Sequence, residues 1–450
     1  PAPTWVDVTQ YVELDHGVSI TRGRGDEFSD AQQNTLTLTL DNRDGRFTPA
    51  RSGSPYFPNV KKGRRIRVRA VHNEVTYDRF SGYVDEWPVQ WPGGGDTRSL
   101  VSVSASSRLA RLGKGTELRS IVESEYLSDS PVAYYPLGEP AGATSAGNVS
   151  RTNQDPLVVT QKGAGGTLTF GTATGPGTDD LTAPTFTRAD AFNGKYLTAP
   201  LASVADASFM QVEAFFNTTM TVEVGQRPVI VAANSGSLHL ELMVDDTEKL
   251  AGFAIGTDME ASVLSAGTVN DGLTHHAALK LDTAASPMVL RLYLDGVLAD
   301  SQNAAGSPGA RPPFTRLYVG GDDRGNAPFN GVIAHPVLYF GAEVSAAQIA
   351  AHRDSGVTAF SGESSNARIT RLARYAGIPT AEISTETGLS TSIAVQVTND
   401  KTPLALMREV EETENGLLFD AGNGTLTFHA RSHRYGTTSS LTLSAATGEL

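Results

Sequence analysis

The residues able to do chemistry in this 450-residue chain are few and scattered. Glycoside hydrolysis needs two carboxylates facing one cleft, about 5 to 10 Å apart. The nearest stretch is Leu238-His239-Leu240-Glu241-Leu242-Met243-Val244-Asp245. On a strand Glu241 shares its face with His239 and Met243, so no carboxylate stands two positions away. Asp245 would share that face, but it opens the polar run Asp245-Asp246-Thr247-Glu248, which reads as a turn. His275 and His276 begin a strand, so their rings point to opposite faces and cannot hold one metal together. Asp41, Asn42 and Asp44, followed by Gly45, allow a turn or a calcium loop. The spacing is not that of an EF-hand and no Glu closes it, which favours the turn. No phosphate loop, His-Glu-x-x-His, G-x-S-x-G or kinase motif set occurs. Without cysteine there is no disulfide, thiol nucleophile or cysteine zinc site. The expectation is a protein that is not an enzyme and needs no cofactor.

One stretch is densely basic: Lys61-Lys62-Gly63-Arg64-Arg65-Ile66-Arg67-Val68-Arg69. Arg65, Arg67 and Arg69 alternate with Ile66 and Val68, as on the wet face of a strand. Two other readings stay open, an assembly surface (Arg64, Arg65, Arg67, Arg69) paired with acidic neighbours, and DNA binding. The net charge of −13 argues against general nucleic-acid binding. The charge is uneven. Residues 1–130 hold 17 acidic and 17 basic side chains, 131–355 hold 22 and 12, and 356–450 hold 10 and 7. The middle therefore differs from its flanks, as an insert with its own surface would. No apolar run approaches the roughly 20 residues that span a bilayer. The start, Pro-Ala-Pro-Thr-Trp, shows no secretory signal, so a protein acting outside a cell is expected to leave by another route, such as lysis.

The elements that position these residues are mostly strands. From Trp5 to Ala105 short alternating runs recur, among them Asn34–Leu40, Arg64–Val71, Phe80–Asp85 and Leu100–Ala105. Such alternation predicts half-buried antiparallel strands curled into a small barrel or sandwich, over 1–106. Residues 107–130 show helical periodicity and read as a connector. From 131 to 355 short strands such as Val212–Phe216, His276–Leu281, Leu290–Leu294 and Leu317–Gly321 are separated by Gly, Asn, Asp and Pro, the pattern of an antiparallel sandwich. Residues 356–365 read as a return linker. A helix over 366–377, capped by Asn366, follows. A second helix is capped by Thr402 with Pro403 in its first turn. Its Glu409, Glu411, Glu412 and Glu414 are expected on the solvated face. A hairpin crosses Ala421–Gly424, and Ser440–Leu443 is strand-like. Residues 356–450 make an α+β segment.

Three sets of motifs carry resemblances. Ala133-Tyr134-Tyr135-Pro136-Leu137-Gly138-Glu139, Leu292-Tyr293-Leu294-Asp295-Gly296, Phe329–Ile333 and Ser345–Ile349 resemble a laminin-G or concanavalin-like jelly roll. Some laminin-G and pentraxin-like relatives bind calcium and sugar at the sandwich rim. Ala334-His335 stands where they commonly carry Asp-Glu, leaving Asp322 and Asp323 as the metal candidates against a plain turn. Leu40-Asp41-Asn42-Arg43-Asp44-Gly45-Arg46-Phe47-Thr48-Pro49, then Ser54-Pro55-Tyr56, resembles the N-terminal barrel of minor tail proteins of long-tailed actinobacterial phages, the tail-tip hub class. Gly416–Asp420 and Leu426–Tyr435 are similar to the second domain of such hubs, whose members usually continue further. The implied fold is mainly β: split hub domains flanking an inserted jelly roll. The implied protein sits at the tail tip of a virion. It forms a ring, most simply a homotrimer, against the distal tail protein, tail tube and tape-measure protein, and its jelly roll touches host-surface glycan. The alternative is a free carbohydrate-binding or adhesin protein, with a glycoside hydrolase third.

Overall fold

Alternation of apolar and polar residues decides most of what forms here, because side chains on a strand point to opposite faces in turn. The computed structural model describes residues 4–434 apart from 27–28, 92–97, 177–180, 203, 222–224, 226, 235–237, 324–326, 387–389, 397 and 399. The strand-like Ser440–Leu443 lies outside the described residues. The chain divides into two compact units. One comprises residues 1–118, 361–394 and 399–450, the other residues 119–360 and 395–398.

The first unit begins with β1 (Val18–Gly23), β2 (Gln32–Asp41), β3 (Arg65–His72), β4 (Val75–Glu86), β5 (Val89–Gln90), β6 (Leu100–Ser106) and α1 (Arg108–Leu112). The strands run β1-β2-β6-β4-β3 with β5 beside β6. Leu36, Leu38, Leu40, Phe80, Val84, Val101 and Val103 fill the inner face. Among the described residues no pairing joins β1 to β3. Trp5–Thr9 forms no strand, although it alternates. The Asp7 carboxylate accepts the Thr9 N–H at 2.9 Å and starts a 3₁₀ turn over Thr9–Tyr11 instead.

The second unit carries α2 (Ile121–Ser128), β7 (Ala133–Tyr134), β8 (Ser145–Ala146), β9 (Leu157–Lys162), β10 (Thr167–Thr174), β11 (Thr182–Thr187), β12 (Gly194–Pro200), β13 (Phe209–Asn217) and β14 (Arg227–Ala233). It continues with β15 (His239–Val244), β16 (Lys249–Gly256), β17 (Met259–Thr268), β18 (His275–Asp282), β19 (Met288–Leu294), β20 (Val297–Ala304), β21 (Arg316–Val319), β22 (Gly331–Phe340) and α3 (Ala346–Val357). Two eight-stranded antiparallel sheets face each other. One runs β10-β11-β22-β13-β18-β19-β20 with β7 on β22, the other β17-β16-β15-β14-β21-β12-β9-β8. Val212, Ala214, Leu279 and Leu290 of the first sheet meet Ile230, Leu240, Leu242 and Leu317 of the second in a dry core. Each buried Val, Leu or Ile side chain here contributes roughly 1.5–3 kcal/mol by leaving water. The Asp295-Gly296 turn takes positive φ at both residues, as a two-residue hairpin requires.

The first unit resumes with α4 (Ser365–Tyr375), β23 (Ile383–Thr385), α5 (Pro403–Glu414), β24 (Leu417–Asp420) and β25 (Leu426–His429). Leu109 and Leu112 of α1 share a core with Ile369, Leu372, Leu406, Met407 and Phe428. Polar ties join the same segments. Asp420 accepts the Leu109 N–H at 2.8 Å, and its carbonyl accepts the Asn34 amide at 2.9 Å. Glu382 takes Arg65 at 2.9 Å and also Arg108. The flanks of the jelly roll thus fold together although more than 300 residues separate Asn34 from Asp420. Two sequence readings change here. Helix α4 starts one residue early with Ser364, not Asn366, at its N-cap position. Glu411 and Glu414 are buried rather than solvated: Glu411 accepts the Leu418 N–H at 2.7 Å and Glu414 the Thr391 N–H at 2.6 Å. Loops that return beside α5 cover these two carboxylates.

Candidate functional site

The jelly roll has two outer faces, and they differ in what covers them. On the first sheet the face is closed by α2 and α3. Odd-numbered residues of β13 point there, and Glu213 is fully buried among them. A bare buried carboxylate is costly, so partners must come from elsewhere. His276 Nε2 lies 3.0 Å from Glu213 Oε2 and His352 Nδ1 lies 2.9 Å from the same oxygen. The other ring nitrogen of His352 meets Asp129 at 3.0 Å. The Tyr126 hydroxyl reaches His276 Nε2 at 3.1 Å, and its ring lies 4.4 Å from that of His352. Burial alone would raise the Glu213 pKa. The His352 charge and hydrogen bonds from His276 and His352 overcome it and lower the value to about 2. Burial likewise opposes the His352 charge, but Glu213 and the Asp129 hydrogen bond raise its pKa to about 10. This is an ion-pair clamp on two helices with no room for a ligand.

The outer face of the second sheet carries no helix among the described residues. The core takes Leu197, Leu317, Ile230, Leu240 and Ala254, so alternation turns their neighbours outward. Register then lays one row across seven strands: Val158, Thr198, Tyr318, Val231, Glu241, Phe253 and Ser262. The next row holds Pro200, Arg316, Ala233, His239, Ile255 and Glu260. Tyr196 and Tyr318 pack with ring centroids 6.2 Å apart, alongside Val231 and Ala233. His239 Nδ1 lies 3.6 Å from Glu241 Oε1. Val158 and Ile255 are exposed, and Phe253 is half-buried. Tyr318, Val231 and Glu241, in the middle of that row, are themselves buried, so the accessible ground is Val158, Phe253 and Ile255 beside Arg316 and His239. A sugar needs both, an apolar surface for its C–H faces and polar groups for its hydroxyls. Glu241 stands between Val231 and Phe253 in its row, so no second carboxylate opposes it for hydrolysis.

The rim carboxylates sit next to this face. Asp322 is fully buried; its Oδ1 lies 3.8 Å from Lys162 Nζ, which donates to the Asp322 carbonyl at 3.0 Å. Asp323 accepts the Tyr318 hydroxyl at 2.9 Å. Burial and then the charges of Asp323 and Asp322 raise the Tyr196 pKa. The pair thus holds Lys162 and Tyr318 in place, and among the described residues no group of three His, Asp or Glu is arranged to hold a metal ion. Asp41 and Asp44 bond Arg43 and Arg46, and the buried Asn42 amide bridges Thr48, Ser99 and the Phe47 N–H, a turn held by its own side chains. The four basic candidates are dispersed in role. Arg65 pairs with Glu382, Arg69 with Asp78 at 2.9 Å, and Arg67 lies over the Trp5 ring, 4.3 Å from its centroid. Arg64 leaves its Nε buried without a hydrogen bond. His335, in the place of the relatives' acidic pair, is buried against the Tyr134 hydroxyl at 2.7 Å.

Sequence reasoning passed over Glu213, His352, Asp129 and Tyr126. One signal was present: Val212-Glu213-Ala214-Phe215-Phe216 is apolar on both faces, so a carboxylate there must be buried and paired.

Residues 192–350 match the Laminin_G_3 family, described as the concanavalin A-like lectin/glucanases superfamily. A concanavalin-like jelly roll is thus present in this chain. No curated protein matches it. Among solved structures it is similar to domain 4 of AbnA, an extracellular GH43 arabinanase from Geobacillus stearothermophilus, in complex with arabinotriose. Identity is 16%, coverage 50% of this chain and 98% of that one, and TM-score 0.36. The CBM40 of the Ruminococcus gnavus IT-sialidase, bound to α2,3-sialyllactose, matches at 17% identity over 32% and 82%, TM-score 0.27. Botulinum neurotoxin type C, described with two ganglioside molecules, matches at 10% identity over 53% and 54%, TM-score 0.38.

Proposed function

We propose that this protein binds carbohydrate without cleaving it, on the open outer face of the second jelly-roll sheet. The observation that carries the reading is the asymmetry of the two faces. One is sealed by α2 and α3 over a buried charge network, while the other presents Arg316 and Ile255, with Phe253 and His239 half-exposed beside them. The test is a glycan panel that includes cell-wall polysaccharides, probed with the full chain and with Phe253→Ala and Arg316→Ala. Both residues lie outside the core. Binding is expected for the parent chain, with at least a tenfold loss in each variant and unchanged melting temperature. Equal binding by all three, or none by the parent chain, would remove this reading.

A second reading concerns the scaffold. We infer that it is a tail-tip hub of a long-tailed phage, assembled as a ring in the virion, with the jelly roll as its host-contacting part. What supports it is the joining of 1–118 with 361–394 and the segment from 399 on into one unit around Asp420 and Glu382, as a split hub domain would require. The motif resemblances of both flanks point the same way. Electron microscopy of intact particles tests it, with threefold density below the tail tube as the expected result. Absence of the chain from every tail would end it.

A further inference from the structure

A cavity of about 650 Å³ opens in the first unit beside the β24–β25 hairpin. That volume lies within the roughly 300–1,000 Å³ of small-molecule sites. Alternation explains its apolar wall. Leu418 turns into the core, so Leu417 and Phe419 turn the other way. His429 stands opposite Leu417 in register, and its ring meets that of Phe419 edge-on at 5.1 Å. The His433 ring stacks on His429 at 3.7 Å and is itself held by the Glu386 carboxylate. Burial, and then the His433 charge, lower the His429 pKa, so at neutral pH its ring is an uncharged part of the wall. Leu417, Phe419 and His429 are all half-buried, so solvent reaches this ground.

Charge enters from the end of β1. Arg22 and Arg24 line the same cavity. Arg22 Nη1 stands against the turn between β24 and β25, where a Cβ on Gly422 would lie 2.7 Å from it. Among the described residues Arg22 has no hydrogen-bond or ion-pair partner. The one carboxylate in the described wall, Asp420, is already engaged: it accepts the Leu109 N–H, and burial raises its pKa. Nothing in the wall therefore neutralises Arg22. A guanidinium grips a carboxylate through two parallel hydrogen bonds, and an apolar body gains by leaving water beside it.

We propose that this cavity binds a small organic acid, with its apolar body on Leu417 and Phe419 and its carboxylate on Arg22. The site belongs to the first unit and shares no residue with the carbohydrate face, so neither reading depends on the other.

The test is calorimetric titration of the full chain with naphthoate and with naphthalenemethanol, which has the same ring body without the charge. Naphthoate is expected to bind one to one, at least tenfold tighter than the alcohol. Arg22→Gln should weaken naphthoate at least tenfold and leave the alcohol as it was. Its melting temperature should not change, because the side chain is exposed and unpaired. Phe419→Ser should weaken both probes. Failure of the parent chain to bind naphthoate overturns the proposal. Equal binding of the two probes, or naphthoate binding that Arg22→Gln leaves intact, overturns it as well.

Discussion

Glu213 is fully buried and keeps its charge because two histidines face it. Removing one member of such a buried pair costs about 3–5 kcal/mol, since the other charge is left alone. His352→Ala is therefore expected to lower stability by that order, measured by chemical denaturation. The pH dependence has a definite sign. The Glu213 pKa is lowered from 4.5 to about 2, so its contribution is complete above 4.5 and is lost as pH falls through about 2. The His352 pKa is raised from 6.5 to about 10, so its contribution is complete below 6.5 and is lost as pH rises through about 10. The stability gap between the parent chain and His352→Ala should be widest between pH 4.5 and 6.5 and narrow toward pH 10. A gap constant with pH would contradict this assignment of charge. None of this clamp was legible from spacing, because Glu213 meets partners 63 and 139 residues away. Only its place in an apolar run hinted at it.

At the scale of elements, the regular devices were legible and the irregular ones were not. Thr402 caps α5 by accepting the Ala405 N–H, with Pro403 following, as its residue types predict. Thr402→Ala is expected to cost about 1 kcal/mol in denaturant unfolding. Ser345 and Gln348 form a capping box at the start of α3. The strands of the jelly roll follow their alternation because both sheets bury one face in a common core. Asn366 was a plausible cap by type, but Ser364 holds that position. Glu411 and Glu414 looked solvated because the loops that cover them lie elsewhere in sequence. Gly356 shows another long-range demand: a Cβ there would stand 2.5 Å from the Phe215 ring. Gly356→Val should therefore lift α3 from the sheet, costing roughly 1–3 kcal/mol in thermal or denaturant unfolding.

At the scale of the molecule, two units with separate cores are interleaved along one chain. Calorimetry should resolve two transitions, with His352→Ala lowering one and Asp420→Ala lowering the other. The open face could be read from sequence only as strands, because which row faces outward depends on register between strands up to 119 residues apart, as Thr198 and Leu317 show. The central claim is that carbohydrate lies on that face. The most direct measurement is a crystal structure of the chain with the best ligand from the glycan panel. Sugar density across Phe253 and Ile255, with Arg316 or His239 bonded to its hydroxyls, is the predicted result. A sugar seated anywhere else on the protein, with this row bare, would contradict the account.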